Sequence, residues 1–324
     1  GASDTIMLVG IALLWRLTDT LSINGISLDT VNGLNITAFL ALLVGSFTKA
    51  GAFPFHSWVP DFTENSPATS SALLPASLDK LLGIYFLARL TGDMFILSEG
   101  MKVALLSVGV VTIITAVLMA LMQHDYKRLL GYHAVSQVGY MILGFGIGSL
   151  LGVVAGLFHM INNALYKSGL FLTAGAIERQ TGKNDIGDLG GLSKAMPVTF
   201  AAALIFAMSI SGVPPFNGFA SKLMIYESTF LFNPLLAVIA MVVSILTLAS
   251  FVKVFHSMFM GPKLPEYENV KEAPTPMLIA MGILAILVVL FGIFPQQVVD
   301  ALVAPAASAL IDYQGYISAV LGGA

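Results

Sequence analysis

The sequence predicts an all-α fold, a polytopic transmembrane helix bundle with inverted repeats and two helices broken by Pro and Gly. Three observations lead there. Of 324 residues, 57% are hydrophobic and only 10% charged, and the mean hydropathy is +0.89. A soluble domain carries about 25% charged residues, so a water-facing surface cannot be assembled, which excludes a soluble enzyme, a nucleic-acid binder and a disordered tail. Apolar stretches recur at the length of roughly 20 residues that a bilayer core demands of a helix, and none alternates with the period of a β-barrel strand. Finally, a Gly-x-x-Pro-Phe pattern occurs twice inside such stretches, at Gly51 and at Gly212.

Gly, Pro and charge clusters punctuate the chain into nine expected spans, near 4–20, 32–58, 67–91, 102–123, 129–148, 150–177, 196–231 (interrupted), 235–260 and 276–303. The tail 305–324, with Asp312 and Tyr313, reads as an interfacial helix or a tenth, poorer span. The whole is one membrane domain: 1–92 as the remainder of a first inverted repeat, 93–260 as a second, and 261–324 as a C-terminal span and tail. Gly1-Ala2-Ser3-Asp4 lacks both an initiator Met and the basic n-region of a signal peptide, so the chain is expected to be a portion of something longer.

Positive residues favour the cytoplasmic side. Alternate loops hold Lys127 and Arg128; Arg179, Lys183 and Lys194; and Lys263 and Lys271, against Arg16, Arg89 and Lys102 opposite. This cell-membrane topology starts residue 1 in the cytoplasm and leaves the C-terminus external. With no Cys there is no disulfide, thiolate metal site or Cys-ligated iron–sulfur cluster. No nucleotide loop or haem ligand pair is visible, so no cofactor and no metal is expected in this chain. The net charge of −3 implies no polyanionic partner, and none is expected among nucleic acids.

The repeated pattern reads Gly51-Ala-Phe-Pro54-Phe55-His56-Ser-Trp58 and Gly212-Val-Pro214-Pro215-Phe216-Asn217-Gly-Phe219. A Pro inside a span removes a backbone hydrogen bond and clashes with the preceding turn. Lipid cannot replace that bond, so unwound backbone survives only where protein or a wet cavity surrounds it. Two such breaks at corresponding places point to a transporter's working site, and the two broken spans run in opposite directions, as an inverted repeat requires.

Lysines sit where lysines are costly. An ammonium at mid-membrane depth costs ~2.5–3.5 kcal/mol on insertion scales, yet Lys49, Lys80, Lys167 and Lys222 all fall inside spans. The bland reading is snorkelling to the headgroups, which suits Lys253 and Lys102, or a local pair with Asp79 for Lys80. The functional reading is a proton relay, because a desolvated Lys can take up and release a proton near neutral pH where Arg cannot. His159, Asn163 and Lys167 follow at i, i+4 and i+8, nearly one face of a helix. His56 divides evenly between a structural hydrogen bond at the break and a proton gate. His124, His133 and His256 lie near span ends and read as interfacial. Asp79 and Glu227 are the acids within the spans, away from span edges, and join His56 and Asn163 as accessory candidates. A sodium site would want clustered carboxylates.

At these residues the sequence resembles the antiporter-like subunits shared by respiratory complex I, membrane-bound hydrogenases and Mrp-type sodium/proton antiporters. The resemblance rests on Thr48-Lys49-Ala-Gly-Ala-Phe-Pro-Phe-His56-Ser-Trp58-Val-Pro60-Asp61, on Ser66-Pro67-Ala68 and on Pro75-Ala-Ser-Leu-Asp79-Lys80-Leu-Leu-Gly83. It continues through Asp125-Tyr-Lys127-Arg128-Leu-Leu-Gly-Tyr, Ser136-Gln137-Val-Gly139-Tyr140, His159 to Lys167, and Ser211 to Lys222. It covers roughly 35–260, in matching order. The block around Lys80 is most similar to the membrane-bound hydrogenase branch.

That resemblance implies two inverted five-helix units, each with one broken helix. Lys49 matches the lysine of the first broken helix, Lys80 the connecting lysine of the next, and Lys222 the charged residue of the second broken helix; His159 and Lys167 match the central relay. It also implies that five preceding spans, with a glutamate paired to Lys49, are absent from this sequence. Asn163 stands where many relatives carry a second His, so a relay there would use bound water or bypass the position.

The function expected first is proton translocation along these residues in a redox-driven membrane complex, with any redox centre on another chain. The partners would be other integral membrane subunits, a peripheral redox arm, lipid and protons. The alternatives are a subunit of an Mrp-type sodium/proton antiporter without redox chemistry, where sodium ions join the protons, and an inactive scaffold.

Overall fold

In the computed structural model, residues 1–23, 26–262 and 264–312 are described; Lys263 and the tail beyond Asp312, including Tyr313, lie outside them. A helix or a broken helix pair stands at each of the nine apolar stretches. In chain order these are α1 (Ala2–Thr18), α2 (Gly33–Ala50), α3 (Trp58–Asn65), α4 (Ala68–Met94), α5 (Glu99–Leu121), α6 (Tyr126–Ile147) and α7 (Leu150–Thr181). There follow a single turn α8 (Leu192–Ala195), then α9 (Pro197–Ser211), α10 (Asn217–Phe232), α11 (Pro234–Phe259), α12 (Thr275–Ile293) and α13 (295–311). A short parallel pair, β1 (Leu28–Asp29) with β2 (Phe95–Ile96), ties the loop after α1 to the loop after α4.

Local sequence explains where the helices begin and end. Polar side chains accept the orphan amides of first turns: Asn32 for α2, Ser98 for α5, Asp125 for α6, Ser149 for α7 and Asn233 for α11. At the other ends, left-handed glycines stop α2, α6, α7 and α9.

Two boundaries differ from expectation. The stretch 32–58 is broken, as its Gly-x-x-Pro-Phe segment predicts, but its second half lies beyond the expected end: α2 stops at Ala50, and the chain resumes its helical path only over Trp58–Asn65. The stretch 276–303 is likewise two elements, because Phe294 leaves helical geometry (φ −118, ψ 51) ahead of Pro295. Pro disfavours helical geometry in the residue before it. The described part of the tail is the end of α13.

Helix α6 is the axis of the bundle, with nearly every residue from 126 to 147 buried. It packs against α3, α5, α7, α10 and α11. The approach to α5 is close enough that a Cβ on Gly139 would meet the main-chain oxygen of Gly109. Among the described residues, five helices are long and apolar enough to cross a bilayer: α2, α4, α5, α11 and α12. The polar side chains concentrate on α6 and α7 and on the facing sides of α4, α10 and α11, where other helices shelter them.

Candidate functional site

The two breaks share one local build. Gly51 and Gly212 both adopt φ 75 and ψ 39, a left-handed conformation that favours Gly. In each, the next residue donates five residues back, Ala52 to the Phe47 oxygen (2.9 Å) and Val213 to the Met208 oxygen (3.0 Å). Breaking a helix frees carbonyls, and each break answers this with a side chain from beyond it. The Trp58 indole donates to the Thr48 oxygen at 2.9 Å, and the Lys222 ammonium to the Ile210 oxygen at 2.7 Å. Pro54, Pro214 and Pro215, which lack an amide donor, lie between the halves.

Lys222, buried on α10, donates also to Ser244 Oγ at 2.8 Å, and its ammonium lies 4.5 Å from the centre of the Tyr140 ring. Ser244 in turn meets the hydroxyls of Tyr140 (3.0 Å) and Tyr226 (2.6 Å). Asn217, at the start of α10, exchanges hydrogen bonds with Asn162 of α7 at 2.9 Å each way and accepts from Ser209 of α9 at 2.6 Å. These bonds lock the second break onto α7.

At the first break the arrangement is more open. Lys49, in the last turn of α2, has its side chain 56% exposed and pairs with Asp79 Oδ1 at 3.1 Å. Asp79 therefore serves Lys49 and not, as a local reading would have it, the adjacent Lys80. Successive helical residues point about 100° apart, so Asp79 and Lys80 face different neighbours. The Lys80 ammonium is buried and has no hydrogen-bonding partner among the described residues. His56 stacks on Phe53 with ring centres 5.4 Å apart, its Nδ1 buried without a partner among the described residues.

Between the breaks lies α7. His159 Nδ1 meets Ser221 Oγ at 3.0 Å and Nε2 meets Gln137 Oε1 at 3.2 Å, joining α7 to α10 and α6. Tyr166 donates to the same Gln137 oxygen at 3.3 Å. Asn163 donates to the Ala76 oxygen at 3.1 Å, where α4 widens over Leu74–Leu78 around Pro75. Lys167 is buried without a hydrogen-bonding partner among the described residues, 5.6 Å from the Phe171 ring centre and near enough to Lys80 for the two charges to interact. The predicted stripe of His159, Asn163 and Lys167 is thus a slanting one, since each step of four residues turns ~40° past a full turn. It fans toward α6 and α10, then α4.

Two further expectations fail. Glu227 is exposed on α10, away from Lys222; five residues is well past one turn, which carries it to the other face. His133 is not interfacial but fully buried, with Nε2 2.9 Å from Ser250 Oγ and its ring stacked on Phe251 at 5.0 Å. It sits two turns into α6, the most enclosed helix, so distance along the chain is a poor guide to its depth. His124 and His256 are exposed. Lys253 donates to the oxygens of Leu121 and Gln123 at the end of α5, and Lys102 pairs with Glu99 at 2.8 Å. Of the loop cations, Lys127 is buried against Glu178 at 3.1 Å, and Arg128 pairs with Asp61 and Glu64.

Of the further members of the site, Gln137, Asn162, Asn217 and Ser221 fall within blocks quoted from the sequence but receive no role there, and Ser244 lies outside them. A signal exists for Gln137, an amide in the middle of a span, and for Ser244, which begins a run of hydroxyls three residues apart. Among the described residues no three His, Asp or Glu side chains converge as metal ligands do.

Comparison with known proteins agrees with this architecture. The family model described as NADH:quinone oxidoreductase/Mrp antiporter, transmembrane, matches residues 1–247. Among curated relatives, the A-type subunit of the Na(+)/H(+) antiporter of Alkalihalophilus pseudofirmus is 38% identical over 94% of this chain and 42% of its own length. The A1-type subunit of the Na(+)/H(+) antiporter of Staphylococcus epidermidis is 35% identical over 94% and 41%. The chain thus spans about two fifths of the curated relatives it matches. Among solved structures, a chain of the Mrp complex from Dietzia sp. superimposes with a TM-score of 0.91 at 26% identity, covering 99% of this chain and 68% of that one. A chain of the archaeal membrane-bound sulfane sulfur reductase gives 0.82 at 31%, covering 90% and 50%. A chain of complex I from Thermus thermophilus shares the fold, with 0.84 at 24% identity, covering 96% and 66%. This multi-pass membrane protein belongs to the NADH:quinone oxidoreductase/Mrp antiporter transmembrane family.

Proposed function

We propose that this chain is the proton-moving part of one subunit in a multi-subunit sodium/proton antiporter. Protons load and discharge at Lys49, Lys80, Lys167 and Lys222, with His159 between the last two. The observation that carries the reading is three lysines, Lys80, Lys167 and Lys222, with relative exposures of 1%, 0% and 0% inside an apolar bundle. Burying an ammonium costs several kcal/mol, and scaffolding gives no reason to bear that cost three times. Lys49 and Asp79 form an adjustable ion pair at the open end. His56 stands beside it at the first break. The antiporter proteins among the sequence relatives support sodium as the exchanged ion and other membrane subunits as partners. They favour gradient-driven exchange over the redox-driven complex expected first. The redox reading is supported by the 31% identity to a chain of the sulfane sulfur reductase and by the oxidoreductase half of the family description; a peripheral redox arm belongs to that reading alone. The loop cations support a cytoplasmic start at residue 1.

The complete assembly, reconstituted in vesicles with an internal pH dye, tests this. A sodium gradient without any electron donor should drive proton movement, and Lys49→Ala and Lys167→Met should each slow it at least about tenfold. Proton movement that requires an electron donor favours the redox reading. Unaltered rates in both variants favour the scaffold.

A further inference from the structure

Over Pro234–Val254, helix α11 is apolar but for a run of hydroxyls: Ser244, Thr247 and Ser250, followed by Lys253. All three hydroxyl residues are buried. Three-residue spacing turns each member ~60° from the last and raises it ~4.5 Å, so the run winds around the helix in steps that one bridging water spans; the Thr247 hydroxyl donates to the Val243 oxygen at 3.0 Å and turns its lone pairs outward. The run has a lysine at each end. Ser244 accepts from Lys222 at 2.8 Å. Lys253 reaches the oxygens of Leu121 and Gln123, at the turn where Met122 is exposed. Beside the run stands His133, with Nε2 on Ser250 and Nδ1 buried without a partner among the described residues. The charges it feels are Lys167 of α7, Lys222 of α10 and Lys253 of α11.

The geometry points to a proton branch that leaves the lysine core at Lys222 and follows Ser244, Thr247 and Ser250 along α11 to the α5–α6 turn, with His133 as its titratable station. It rests on the reading of Lys222 as a proton-loading residue. A hydroxyl both donates and accepts, so each takes a proton on a lone pair as it passes its own to the next, and no charge remains on Ser or Thr. The imidazole takes a proton at one nitrogen and releases one from the other, and can hold the charge between. Nine residues of helix from Ser244 to Lys253 carry the path ~14 Å, from the middle of the bundle to the surface of this chain.

The test uses the complete assembly in vesicles, with Thr247→Val, Thr247→Ser, Ser250→Ala and His133→Gln beside Lys222→Met. Thr247→Val keeps the side-chain shape and removes the hydroxyl; His133→Gln keeps a hydrogen-bonding group and removes the titration. Each of Thr247→Val, Ser250→Ala and His133→Gln should slow proton movement about tenfold at an unchanged thermal midpoint, and Thr247→Ser should run at the parent rate. A parent rate in Thr247→Val or His133→Gln, while Lys222→Met is slow, overturns the branch and leaves the core reading standing. Equal slowing in Thr247→Ser and Thr247→Val also overturns it, since packing and not the hydroxyl would then matter. A parent rate in Lys222→Met removes the core reading itself. Should the valine variant not assemble, Ser250→Ala, which deletes one oxygen, decides the point.

Discussion

The ammonium group of Lys222 donates to the main-chain oxygen of Ile210 at 2.7 Å, across the break that separates α9 from α10. One side chain thereby does two things: it satisfies a carbonyl that lipid could not, and it brings a charge to the centre of the bundle. The first break divides these tasks between Trp58, which takes the carbonyl, and Lys49, which carries the charge.

Lys222→Met separates the two roles. Leaving the Ile210 oxygen without its donor costs about 1–3 kcal/mol, but removing a buried ammonium relieves a penalty of several kcal/mol. The purified assembly should therefore melt no earlier than the parent, while sodium-driven proton movement falls at least about tenfold. A calorimetric scan beside a vesicle flux assay checks both.

Trp58→Phe should behave in the opposite way. It keeps the aromatic packing on Phe62, whose ring centre is 6.5 Å away, and deletes the donor to Thr48. No charge is removed to compensate, so the assembly should lose about 1–3 kcal/mol of stability, read as an earlier thermal midpoint.

Gly292 of α12 lies against the second break. A Cβ there would press on the backbone of Pro215, Phe216 and Asn217, none of which can swing aside as a side chain could. Gly292→Ala should cost about 1–3 kcal/mol, as overpacking does. Gly282→Ala on the same helix meets nothing within 4 Å and should be neutral or stabilising by up to about 1 kcal/mol. Comparing the thermal midpoints of the two variants checks whether α12 braces the break.

Asp125 offers a pH test outside the spans. Its carboxylate caps α6 through the Arg128 amide at 2.7 Å. Burial raises its pKa above the ordinary carboxylate value, against the opposing pull of that amide, with Glu64 adding to the rise. Because the folded-state value is the higher one, this group's contribution is fully present below the ordinary aspartate range and is lost as pH rises through the raised value. Asn caps as well as Asp and does not ionise. Asp125→Asn should match the parent at pH 3 and be the more stable protein at pH 7, in thermal melts at the two pH values.

Much of the site can be read from the residues alone. The two Gly-x-x-Pro-Phe segments announce the breaks, because Pro withholds a donor and Gly accepts a left-handed turn wherever they occur. Lys80, Lys167 and Lys222 announce themselves by rarity in apolar surroundings. Their partners are not legible in the same way. Asp79 serves Lys49, 30 positions earlier in the chain, and Glu227, though near Lys222 in sequence, faces away from it. His133 lies early in its helix and so reads as superficial, yet nearly every residue of that helix is buried.

Hydropathy and backbone chemistry are properties of each segment, so a membrane bundle and the places where its helices must break follow from the order of residues. Which polar groups meet is a matter of packing between segments. His159 finds Gln137 and Ser221, and His133 finds Ser250, across separations of 22, 62 and 117 residues. Such meetings depend on the rotation and crossing of whole helices. A few degrees of turn about a helix axis exchanges one neighbour for another without altering the pattern along the chain.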